Sequence, residues 1–180
     1  DYQNCKPTTS IAAGPIGFSL SCPLTNSKVS CGTAINPTST CGHGGPSYGA
    51  CSAPPYAECP YSAQLKAALD VKPSAPNAPV YLPYVNGTEV VEWQIVKGPE
   101  IIPGRDWGYK TIYTAKYQDR VLTLDLTHTY NITDTSKKKS GEQVATVYPN
   151  TGGDGIGHLH TALAVDGVWI EPKDANMCPY

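Results

Sequence analysis

At 180 residues the chain is long enough for one ordinary domain with its own core and short for two. Apolar residues make up 40%, charged ones 16%, and the formal net charge is −2, a balance with no basic footprint for nucleic acid or for an anionic membrane surface. No apolar run approaches the roughly 18 residues of a bilayer span, so no membrane segment is expected, and the chain is expected to begin at a mature terminus, Asp1.

The first segment, residues 1–60, is rich in Pro, Gly, Ser, Thr and Cys and has no sustained hydrophobic period. It predicts loops and short strands stapled by disulfides onto the rest of the domain. Six of the seven cysteines fall here, Cys5, Cys22, Cys31, Cys41, Cys51 and Cys59, and the last is Cys178. No CxxC pair occurs, so the spacing favours disulfides in an oxidising compartment over metal binding. Cys178 has no sequence neighbour, which predicts a mate in the N-terminal third. The odd count leaves one thiol free or available for a disulfide-linked dimer. His43, in "CGHGGP", reads as a surface residue. "GPSYG" at 45–49 fits G-x-S-x-G but lacks the strand before and the helix after it that a nucleophile elbow needs.

Residues 61–79 read as a short helix and an extended connector. In "YSAQLKAALDV", 61–71, Leu65, Ala68 and Leu69 share a helical face and Pro73 stops it. "KPSAPNAP" then leads into residues 80–180, where the period turns to 2 and predicts an antiparallel β domain.

"TEVVEWQIV" places Val91, Trp93 and Ile95 on one face and Glu92 and Gln94 on the other. "YKTIYTAKY" aligns Tyr109, Tyr113 and Tyr117 against Lys110 and Lys116, and these tyrosines read as core filling or as a sugar-stacking face. "RVLTLDLTHTYNIT", 120–133, is the longest strand. Its even positions, Leu122 to Ile132 through His128, are expected to face inward, and its odd positions, including Asp125 and Asn131, to face water.

Two N-x-[ST] sequons, at Asn86 and Asn131, suit a secreted glycoprotein. After the polar "DTSKKKSGE" and the short strand "QVATVYP", the glycine-rich "NTGGDGIG" opens a terminal hairpin. Asp166-Gly167 is its type I′ turn. The fold class predicted is mainly β, an antiparallel barrel or sandwich of about six or seven strands, with a disulfide-rich N-terminal segment and one short helix.

The hairpin stretch "GHLHTALAVDGVWIEP" raises the chemistry. Along "HLHTALAV", Leu159, Thr161, Leu163 and Val165 share one face and His158, His160, Ala162 and Ala164 the other. Two imidazoles on one side of a strand, about 6 to 7 Å apart at the backbone, can converge on one ion. His128 is the inward-facing partner from another strand. His128, His158 and His160 are therefore the candidate metal ligands, for zinc, or for copper if the chemistry is redox. The alternative is a scaffold in which the imidazoles are simply hydrogen-bonded.

Two hydrolase readings stand beside this one. "HTALAVDGVWIEP" is similar to the histidine-bearing hairpin of papain-like and transglutaminase-like cysteine hydrolases. That resemblance implies His160 as acid–base, Glu171 as the carboxylate that orients it, and Cys59, ahead of the expected helix, as nucleophile. "VEWQI" around Glu92, "DRVL" around Arg120 and "THT" around His128 resemble, in the same order, segments of the small secreted T1-type ribonucleases. That resemblance implies Glu92, Arg120 and His128 as a base, a phosphate-binding cation and an acid.

Taken together, the sequence reads as a secreted, N-glycosylated, disulfide-stabilised β-protein. Its expected role is an extracellular binding, effector or structural module with an extracellular glycan or protein as partner, and its candidate chemistry is the three-histidine site.

Overall fold

The structure, a computed structural model, describes residues 15–32, 67–102, 106–133, 138–151 and 153–178. Among the described residues ten strands form one antiparallel sheet with almost no helix, and the sheet does not close on itself. In chain order they are β1 (Ser27–Gly32), β2 (Leu69–Pro73), β3 (Pro79–Tyr81), β4 (Glu92–Ile101) and β5 (Tyr109–Tyr117). There follow β6 (Arg120–Tyr130), β7 (Lys138–Lys139), β8 (Gln143–Val147), β9 (Leu159–Val165) and β10 (Val168–Ile170). A 3-10 turn, Pro172–Ala175, follows β10.

The lateral order is β1-β2-β9-β6-β5-β4-β7, with β10 beside β9 and β8 joining β3 to β6. β2, β9 and β6 are immediate neighbours within this order. Among the described residues no helix is long and apolar enough to cross a membrane.

Alternation along the strands sorts the side chains as the period-2 pattern predicts. Leu122, Leu124 and Leu126 of β6 face the same side as Leu159 and Leu163 of β9, with Leu124 directly opposite Leu163. Trp93 and Tyr113 complete this core, both essentially inaccessible. The Trp93 indole N–H donates to the Pro83 carbonyl at 3.2 Å, which satisfies its one polar atom. Burial pushes the Tyr113 phenol up to about 12. Of the three aligned tyrosines, Tyr113 is core filling, while Tyr109 and Tyr117 are half-buried. The terminal hairpin forms as read, with Asp166 and Gly167 both at positive φ and Val165 paired with Val168.

Three expectations need correction. The sheet has ten strands rather than six or seven, and it is open rather than closed into a barrel. The helix expected over 61–71 gives way at its described end to β2. Leu69 pairs with Gly32 on one side and Thr161 on the other, and Leu69 and Val71 drop into the core while Asp70 turns to the opposite face. Ala67 is helical and the strand starts at Leu69, so the expected helix stops at least two residues early, where hydrogen bonding on both edges favours the extended chain. Residues 61–66 lie outside the described residues.

The third correction concerns the odd face of β6, which is not all in solvent. Asp125 is wholly buried, with Lys110 Nζ at 2.8 Å and the Thr127 hydroxyl donating to it at 2.7 Å. A buried carboxylate persists when partners replace its water, and these two supply them.

Cys178 does find its mate in the N-terminal third. It is bonded to Cys22, and the bridge ties the chain end to the segment ahead of β1. With its partners 156 positions apart in the chain, chain-entropy reasoning assigns this cross-link roughly 5 kcal/mol. Cys31 lies in β1, in register with Asp70. Cys5, Cys41, Cys51, Cys59, His43 and the "GPSYG" stretch lie outside the described residues.

Thr111 and Thr161 flank Leu126 on the core side of the sheet, and among the described residues neither buried hydroxyl has a hydrogen-bond partner. Such an orphan costs about 1 to 3 kcal/mol. Thr161→Val, which keeps the branched shape and removes the hydroxyl, should raise the unfolding free energy by about 1 kcal/mol in urea titration. Destabilisation would instead reveal a partner for that oxygen.

Candidate functional site

The face opposite the leucine core carries the polar cluster. Across three neighbouring strands Asp70 of β2, His160 of β9 and Thr127 of β6 stand in one lateral row. Lys110 of β5 continues that row, opposite Thr127. His158 immediately precedes β9 and shares the face of His160 by parity.

By strict alternation His128 would point with Leu122, Leu124 and Leu126 into the core, away from the other two histidines. A bulge redirects it. Tyr109 pairs with Thr129 and Lys110 with Thr127, so His128 is the extra residue on β6, and its φ is +65°. A bulge shifts the alternation by one, and histidine is among the residues that tolerate the left-handed region.

After the bulge Thr129 returns to the core side, 1% exposed, and its hydroxyl donates to the Tyr109 carbonyl at 3.1 Å. The expectation that His128 joins His158 and His160 is met in position. The parity argument behind it fails, because inward along β6 is the wrong face.

The three rings are close. The His128 ring centre lies 4.9 Å from that of His158 and 6.0 Å from that of His160, each edge to face. Asp70 binds the other two rings together. Its Oδ1 is 3.2 Å from His160 Nδ1, and its Oδ2 is 3.6 Å from His158 Nε2.

Partners fix the tautomers. The Trp107 carbonyl, 3.1 Å from His128 Nδ1, can only accept, so Nδ1 carries the hydrogen and the ring's lone pair is on Nε2. The Asp70 carboxylate does the same for His160, placing its lone pair on Nε2. Trp107 also packs its ring edge-on against His128 at 5.5 Å.

Burial, then the neighbouring His160 and His158, pushes the His128 pKa down from 6.5 to about 3, outweighing the Trp107 carbonyl and the Asp70 charge, which pull the other way. His128 is therefore a neutral ring at any physiological pH. His128 and His160 are 7% and 6% exposed, while the His158 side chain retains 25% and is the accessible edge of the cluster. Among the described residues, no three His, Cys, Asp or Glu side chains already stand in a geometry that holds one ion. The His158 ring is turned onto Asp70 instead.

The other candidates are not brought here. Glu92 begins β4 as an exposed residue, opposite Lys139. Arg120 begins β6 and binds Asp166 in the terminal turn. His128 is eight residues further along the same strand, about 26 Å at extended rise. The structure thus separates the base and cation of the ribonuclease-like set from its acid.

Glu171 follows β10 and pairs with Lys173 at 2.8 Å, and the carboxylate that orients His160 is Asp70. Cys59 lies outside the described residues. Sequence reasoning missed Asp70, Trp107 and the loop that sets His158. The available signal for Asp70 was a lone acid between Leu69 and Val71, hidden by reading that stretch as a helix.

The His128 shift gives a pH dependence with a definite sign. Its folded pKa is below the unfolded value, so the folded state resists the proton. Stability is therefore fully present above about pH 6.5 and falls as pH drops toward 3. With chelator present, the unfolding free energy of the parent should decline over that window. His128→Gln, a neutral side chain that cannot titrate there, should flatten the decline, and parallel curves for the two proteins would contradict the assignment.

The sequence matches no protein-family model and no curated protein, so the chemistry of the cluster rests on the geometry of this chain's own side chains.

Proposed function

We propose that this chain is a secreted, N-glycosylated, disulfide-stabilised β-protein that acts as an extracellular metal-binding module, with His128, His158 and His160 as the ligands of one zinc or copper ion. The observation that carries the reading is the bulge at His128. It turns a third imidazole onto a face that already holds two, with ring centres 4.9 and 6.0 Å away. Three rings on one tetrahedral ion with metal–nitrogen bonds near 2.0 to 2.1 Å stand about 5 Å apart centre to centre.

The chemistry of the donors supports it. Metal ligation needs the neutral imidazole, and burial holds His128 in that form. Asp70 on His160 Nδ1 and the Trp107 carbonyl on His128 Nδ1 are the outer-shell acceptors that ligating histidines use to fix their tautomer. Binding would require the His158 ring, now facing Asp70, to turn toward the ion. A divalent cation would then supply the positive charge that the Asp70 carboxylate favours. Nitrogen-only donors with an open position suit zinc, and the same set binds copper at least as strongly. An extracellular glycan or protein partner would meet this centre from the His158 side.

Secretion and glycosylation rest on the cysteine framework and the sequons, and the two sequons differ in setting. Asn131 is exposed, at a left-handed φ of +48° directly after β6. Asn86 is half-buried and its side chain is engaged at both ends. Its Nδ2 donates to Glu89 at 2.7 Å and to the Tyr117 hydroxyl at 2.9 Å, and its Oδ1 accepts the Ser19 N–H at 3.0 Å. Asn131 is the acceptor this geometry favours.

Elemental analysis of protein purified from a eukaryotic secretory host should find about one equivalent of zinc or copper, lost in His158→Ala/His160→Ala. Fewer than about 0.2 equivalents in the parent after incubation with either ion would end the metal reading. Peptide mapping after enzymatic deglycosylation in heavy-oxygen water should label Asn131 and leave Asn86 unlabelled. Labelling at Asn86 would contradict this arrangement, because a glycosylated Nδ2 keeps one N–H and cannot donate to both Glu89 and Tyr117.

A further inference from the structure

Between β8 and β9 the described residues 148–151 and 153–158 make hydrogen bonds that connect two of the three histidine positions. The Tyr148 N–H donates to the His128 carbonyl at 2.8 Å, which seats the loop on the bulge itself. The Thr151 hydroxyl donates to the Tyr148 carbonyl at 3.0 Å and accepts the His158 N–H at 3.1 Å. Thr151 is 1% exposed. An unbroken path therefore runs from the backbone of His128 through Tyr148 and the Thr151 hydroxyl to the backbone of His158.

Two features hold that path in place. Gly157, at φ +76°, packs so closely that a Cβ there would collide with the Tyr148 carbonyl and stand 2.9 Å from Thr151 Oγ1. Asp154 accepts the Ile156 and Gly157 N–H groups at 3.0 and 3.1 Å and pairs with Lys72 of β2, two residues beyond Asp70. The loop is thus fastened to β6 through Tyr148 and to β2 through Asp154.

We infer that Thr151 is a positioning residue of the histidine cluster, its hydroxyl setting the separation and orientation of His158 relative to the His128 bulge. The inference rests on the metal reading for its functional consequence and on the Thr151 hydrogen bonds for its geometry. No strand pairing joins His158 to β6, because the β6–β9 ladder ends at Thr127 and His160. The Thr151 bridge is what continues the register one step further, to the residue that must swing onto an ion.

The test uses the full chain and three proteins: parent, Thr151→Val and Thr151→Ser. Valine keeps the shape but can neither accept from His158 nor donate to Tyr148, whereas serine can do both. Loss of an outer-shell hydrogen bond costs about 10- to 100-fold in metal affinity, so Thr151→Val should bind zinc that much more weakly than the parent. Thr151→Ser should recover to within about threefold of it. Copper(II) EPR, which reports ligand geometry, should show an altered spectrum only for the valine variant.

In chelated protein, nuclear Overhauser contacts between the His128 and His158 rings should be present in the parent and the serine variant and lost or weakened with valine. Equal affinity and equal ring contacts in the valine variant would overturn the inference. A parent that takes up no metal would end the metal reading, and the ring contacts would still decide whether Thr151 positions His158.

Discussion

The constraint on which the site depends is one extra residue in β6. A strand that alternates strictly offers each face every second side chain, and Leu122, Leu124 and Leu126 commit one parity of β6 to the core. Placing a histidine from this strand among His158 and His160 requires that parity to break without breaking the sheet. The bulge at His128 achieves this, and the ladder resumes at Thr129 opposite Tyr109 and Val147. Positive φ costs a residue with a Cβ some free energy, of order 1 kcal/mol or more, and persists where surroundings over-determine it. Here they do: the His128 carbonyl accepts from Tyr148, its ring nitrogen donates to Trp107, and the next hydroxyl closes on Tyr109.

The second organising element is Asp70. It lies on β2 between two core residues and projects to the opposite face, in line with His160 and Thr127. A carboxylate 9% exposed needs partners, and two imidazoles supply them, one at each oxygen. The Lys110–Asp125 pair on the same face meets the same need diagonally, between neighbouring rows. The sheet is therefore two-sided in an unusual sense. One face is a dry leucine core, and the other is a half-buried polar layer whose charges are matched one against another.

The order in which the molecule is tied also matters. Cys22–Cys178 fixes the chain end beside the segment that leads into β1, and β1 pairs with β2, which holds Asp70. The connection from β8 to β9 is fastened through Tyr148 to the bulge and through Asp154 to Lys72. The elements that carry the cluster are thus held by long-range ties rather than by local turns, which suits a rigid site on a small domain.

What the sequence determined by itself was whatever depends on near neighbours. The parity of His158 and His160 against Leu159 and Leu163 follows from alternation alone, and the hairpin at Asp166-Gly167 follows from turn chemistry. The burial of Val91 and Trp93 is equally local, and the isolation of Cys178 pointed to a distant mate. The tertiary structure alone decided the rest, because it turns on partners far away in the chain. "LDV", which continues a helical pattern in sequence, is extended because β1 and β9 offer hydrogen bonds to both its edges. Asp125 reads as solvent-facing until Lys110 reaches it. His128 reads as a core-facing residue until Tyr109, Tyr148 and Trp107 fix a bulge that no spacing in "LTHTY" announces. Three imidazoles meet because a strand changes face at one residue, and that change is set by backbone groups from other strands and loops rather than by any side-chain pattern along β6.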